Sequence, residues 1–103
     1  MAALLGNAFS LQMLNLDQET NVKVAPVTVA EVAESGFRSV VGHQDTANVL
    51  TTLLGVEVPF NRESVKLTTG DVLYVAQVSG GRLPEGATTL PQGFELVFLK
   101  VTL

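Results

Sequence analysis

The chain has no cysteine, a single histidine and only six lysines and arginines in 103 residues, and each shortage closes off a class of function. Without cysteine there is no disulfide framework and no thiolate metal site, and a reducing cytoplasm is the simplest compartment. With one histidine, a metal would have only Asp and Glu to hold it, and neither an EF-hand spacing nor a histidine-pair motif occurs. The expectation is therefore no metal and no cofactor. Ten acidic residues outweigh the six basic ones for a formal net charge of -4, which argues against coating long nucleic acid, since holding a polyanion takes many cations. A small phosphate ligand needs only a few well-placed donors, and a two-fold dimer presents each arginine twice. No stretch reaches the ~18 uninterrupted apolar residues of a membrane span, and residues 1–6 lack the basic region of a signal peptide, so no membrane association is expected. The doublet Gly80-Gly81 has no lysine where a phosphate-binding loop requires one, and Ser10 or Ser39 as a nucleophile would have only His43 as base.

What is present is a core. Apolar residues make up 47% of the chain and charged ones 16%, enough to fold residues 1–103 as one domain and to leave apolar surface for a partner copy. Residues 1–6 predict a short buried strand, and residues 7–14 a loop or irregular helical turn. Residues 22–27 alternate and are β-branched, but Pro26 confines them to an edge strand. Thr28 and Glu31 form a capping box in which both side chains satisfy orphan backbone donors, opening a short helix that ends near Gly36. Residues 37–41 predict a strand. Beyond Gly42 comes a second helix with Val49, Leu50, Leu53 and Leu54 on one face and Gly55 at its stop. Residues 64–67 and 72–79 predict a hairpin turning at Gly70 and Asp71, and residues 94–101 a final strand. The alternation of types predicts an α/β fold, a mixed sheet of about five strands flanked by helices.

Three places could carry chemistry. His43 lies between Gly42 and a helix start, where free backbone N–H groups and the helix dipole favour an anion, and imidazole exchanges protons near neutral pH. A cap or a packed side chain is the commoner role for such a residue. Arg82 and Glu85 flank Leu83-Pro84, a stiff spacer that holds a cation and a carboxylate about one turn apart, as a catalytic pair or as a surface ion pair. Arg62 is a further guanidinium suited to a phosphate, although loop arginines are more often simply solvated.

Taken in order, Asn7-Ala8-Phe9-Ser10, Gly42-His43, Asn61-Arg62 and Gly80-Gly81-Arg82-Leu83-Pro84-Glu85-Gly86 resemble the small viral and bacterial ring nucleases, the anti-CRISPR proteins and host relatives that destroy cyclic tetra-adenylate and so silence type III CRISPR signalling. The resemblance covers nearly the whole chain, and Arg-Leu-Pro-Glu-Gly is its most specific part. It implies a homodimer holding one cyclic RNA in a central cleft, in the cytoplasm of the host cell if the protein is viral. It also implies metal-free cleavage by the ribose 2′-hydroxyl to 2′,3′-cyclic phosphate ends. On this analogy His43 is the general acid, Arg82 holds the phosphate, Glu85 orients one of them, and Asn7, Ser10, Arg62 and Gln77 contact the ligand. One departure is visible: residues 87–93 are short and contain Pro91 where relatives place a helix. The alternative from another class is a non-catalytic module that sequesters a cyclic nucleotide or blocks a protein partner.

Overall fold

The apolar start of the chain becomes the strand that the rest of the sheet is built around. In the computed structural model, which describes residues 3–15, 17, 19–81 and 83–103, β1 (Ala3–Gly6) runs parallel to both of its neighbours, β3 (Arg38–Ser39) and β4 (Val72–Ser79). β5 (Glu95–Thr102) pairs antiparallel with β4 along its whole length, and β2 (Lys23–Pro26) pairs antiparallel with β5. The result is one five-stranded mixed sheet in the order β2-β5-β4-β1-β3, as the alternation of element types predicts. β2 is an outer strand, where a proline at its end does not cost a ladder bond on the free side.

Because side chains alternate across a strand, β1 feeds two cores. Leu5 joins Tyr74, Ala76 and Phe98 under two helices, α1 (Val29–Glu34) and α2 (Gln44–Leu54), which contribute Val32, Ala47, Leu50 and Leu54. Leu4 points the other way, to Leu73, Val75 and Val101, and that face is covered by loop residues, chiefly Leu67 with Phe9, Met13 and Val65. The loops reach the Val101 end of β5 and stop short of the rest of the β5–β2 half. There Val24, opposite Val101, and Val97, on the same face as Leu99 and Val101, remain 57% and 43% exposed.

Four expectations need correcting. Residues 64–67 form no strand, and the hairpin turning at Gly70 and Asp71 does not exist: both edges of β4 are taken, by β1 and by β5, so the segment bonds instead through Leu67 N–H to the Met13 carbonyl. The hairpin partner of β4 is β5. At the start of α1, Thr28 Oγ1 accepts from Glu31 N–H as a cap should, but the Glu31 carboxylate turns to the sheet, taking a hydrogen bond from the Tyr74 hydroxyl and an ion pair with Lys100. Burial and that carboxylate push the Tyr74 phenol above its ordinary value. On α2, Leu53 is exposed, and Ala47 with Thr46 completes the buried face. The strand expected over residues 37–41 pairs with β1 as a ladder only at Arg38–Ser39, after which Val41 forms a single parallel bridge with Phe60. The 3-10 turn Leu11–Met13 and the left-handed Gly55 at the end of α2 agree with the sequence reading.

Candidate functional site

The parallel strands β1, β3 and β4 end on one side of the sheet, the side where open α/β sheets bind ligands. Asn7 follows β1 directly and its side-chain Oδ1 accepts the Gly42 N–H at 3.2 Å, so the end of β1 is tied to the entry of α2. His43 is the N-cap of α2 in extended conformation (φ -140°, ψ 122°). Its imidazole makes no capping bond and is exposed. The side chain thus neither caps the helix nor packs in the core, and it is carried at the entry of an eleven-residue helix whose first-turn amides carry the positive end of the helix dipole.

The Arg62 stem passes close to the helix entry: a Cβ on Gly42 would lie 3.3 Å from Arg62 Cγ, a tight contact that the exposed arginine side chain would have to yield to. Arg62 is held from behind by Asn61, whose N–H donates to the Val41 carbonyl and whose Nδ2 donates to the Ser39 carbonyl. The neighbouring Glu63 is occupied by Arg38, and Arg62 has no ion pair among the described residues. Asn7, Gly42, Arg62 and Glu63 line one cleft of about 160 Å³. Ser10 lines an adjoining cleft that shares Met13, Glu63 and Val65 with it.

The glycine-rich segment reaches this place from the far end of β4. β4 runs four residues past the level at which β1 stops, Gly6 pairing with Val75 and Ser79 with Glu95. Gly80 (φ 114°) then turns the chain hard against Phe94, where a Cβ would meet the Gly93 carbonyl oxygen at 3.0 Å. The segment returns to α2, and the Gly86 N–H donates to Asp45 Oδ1 at 3.0 Å. Glu85 is exposed one residue before that anchor. Arg82 lies outside the described residues. Among the described residues no hydrogen bond or ion pair joins Glu85 to His43. Residues 87–93 carry no helix, in keeping with Pro91.

Gln77 stands apart. It is exposed in the overhang of β4, opposite Val97, on the uncovered sheet face and away from the helix entry. One position that matters was missed from sequence: Asp45, which reads as an ordinary acid in a first helical turn; Asn61 was named only within the Asn61-Arg62 motif, with no role, and its two bonds to the Val41 and Ser39 carbonyls are seen only in the structure. The signal for Asp45 was its spacing of two residues from His43. No group of His, Asp and Glu among the described residues forms a metal cluster, and no helix of the described residues is long and apolar enough to cross a membrane.

Comparison with known proteins places this architecture in a viral setting. The model of the STIV B116-like family matches residues 3–99. Uncharacterized protein ORF117 of Acidianus two-tailed virus is 37% identical over 78 residues, covering 70% of this chain and 66% of that protein. Uncharacterized protein 26 of Sulfolobus islandicus filamentous virus is 36% identical over 73 residues, covering 67% of this chain and 61% of that protein. The chain thus spans somewhat less than two thirds of the length of both. Among solved structures, B116 of Sulfolobus turreted icosahedral virus superposes with a TM-score of 0.81 at 25% identity over 100% of both chains.

Proposed function

We propose, from the premise that this chain belongs to the STIV B116-like family, that it is a metal-independent ring nuclease that opens cyclic tetra-adenylate in the cytoplasm and shuts off type III CRISPR signalling. The observation that carries the reading is the free, exposed imidazole of His43 at the mouth of α2, with the Glu85 segment fastened to the same helix turn through Asp45. A phosphate at that mouth meets backbone N–H groups, the positive end of the helix and the unpaired Arg62. The ribose 2′-hydroxyl loses its proton to water and attacks phosphorus, the bond to the 5′-oxygen breaks, and His43 gives that oxygen its proton. Arg82 neutralises charge on the phosphate and Glu85 orients the arginine or the imidazole.

A homodimer completes the reading. Val24 and Val97 leave an apolar strip on the sheet face that loops do not cover, and a second copy there buries both strips and puts Gln77 of each protomer in the interface. The reading is tested by incubating the protein with cyclic tetra-adenylate in excess chelator. Linear products over many turnovers, and their fall by roughly 10²–10⁴-fold in His43→Ala with ring binding kept, are the expected results. Stoichiometric retention of intact ring makes the protein a sponge instead, and undiminished cleavage by His43→Ala removes the assigned acid.

A further inference from the structure

The outer side of α2 borders a groove of about 670 Å³ whose lining includes Gln44, Asn48, Glu57, Pro59, Phe60 and Thr88. It begins one residue beyond His43 and runs along α2 from Gln44 to Thr52. Gln44 Nε2 donates to Asn48 Oδ1 at 3.0 Å. That bond uses one N–H of Gln44 and one lone pair of Asn48 Oδ1, and leaves the Gln44 carbonyl oxygen as an acceptor and the Asn48 N–H groups as donors one helical turn apart; exchanging the two amides' orientation again leaves one acceptor and one donor. An adjacent acceptor and donor is what the edge of adenine asks for, its 6-amino group giving a hydrogen bond and a ring nitrogen taking one. Phe60, 48% exposed, supplies an aromatic ring on which a base can stack. Among the described residues no lysine or arginine lines the groove and Glu57 does, which suits a neutral base and repels phosphate.

We infer that this groove is a nucleobase subsite, taking the adenine of an adenylate whose phosphate lies at the helix mouth. The identity of the ligand rests on the adenylate reading above; the donor–acceptor pair and the ring do not. The test uses adenosine 5′-monophosphate as probe, with side-chain amide resonances as readout. Titration moves the Gln44 and Asn48 amide signals, and purine riboside 5′-monophosphate, which lacks the 6-amino group, binds about fivefold more weakly. Asn48→Asp keeps the acceptor for Gln44 but removes the free N–H, and Phe60→Leu keeps the bulk but removes the ring; each weakens the nucleotide by roughly tenfold while the backbone spectrum stays folded. Unchanged affinity in both variants, or shifts confined to residues elsewhere, overturns the subsite. Ring cleavage without any response to the mononucleotide sinks this inference alone. A mononucleotide response without ring cleavage sinks the nuclease reading alone.

Discussion

At the residue scale, the site depends on a few side chains whose work is to hold backbone. Asp45 accepts the Gly86 N–H and thereby sets where Glu85 stands relative to α2. Asp45→Ala leaves that amide unpartnered, so its hydrogen exchange should quicken by about five- to tenfold, the scale of one modest hydrogen bond, and ring cleavage should fall with it. Asp45→Asn retains Oδ1 and should keep both; exchange at Gly86 that is indifferent to Asp45→Ala would show the anchor to be idle. His43 and Arg62 were legible as candidates from residue type and from Gly42 beside them. The structure adds that the His43 side chain makes no capping bond and that Arg62 is exposed beside a Glu63 already paired with Arg38, so both side chains are open to a ligand and Arg62 is as solvated as an ordinary loop arginine.

At the scale of elements, α2 shows where periodicity succeeds and where it overreaches. The 3.6-residue pattern correctly located the helix and its glycine stop, but it gave Leu53 to the core along with Leu50. A helix face about 100° wide holds only part of such a run, and small Ala47 buries more completely than the larger Leu53 because it faces the sheet. Leu50→Ala should therefore destabilise by about 2–5 kcal/mol in urea unfolding, whereas Leu53→Ala should stay within about 0.5 kcal/mol. Equal losses at the two positions would return Leu53 to the core. The expected hairpin at Gly70 and Asp71 failed for a different reason. Its turn chemistry is real, with Asp71 accepting from Thr68 N–H and Oγ1, but a turn fixes only local direction, and the edge it would have paired with was already occupied.

For the whole molecule, the uneven covering of the sheet is the consequential feature. One face is closed by helices; the other is closed by loops over β1, β4 and the Val101 end of β5, and left open at Val97 and Val24. Val97→Lys, on the bare part, adds a charge that has no partner in a copy-to-copy contact. It should raise the dimer dissociation constant at least about tenfold in sedimentation or light scattering, with the monomer's thermal unfolding little changed. A wild-type protein that runs as a monomer at high concentration, or a Val97→Lys protein that dimerises as well as the parent, rejects the sheet face as the contact.

Composition and pattern alone determined that the chain makes one α/β unit, which segments become helix, which become the first, second and last strands, and that one imidazole sits between a glycine and a helix; these follow from steric preference and the periodicity of burial within a few residues. Only the tertiary structure decided that β4 is held between β1 and β5, that Glu31 serves Tyr74 and Lys100 rather than its own helix, and that the glycine-rich return is anchored at Asp45. Those outcomes turn on competition among distant groups for the same sheet edge, hydroxyl or amide, and a linear sequence does not rank the competitors.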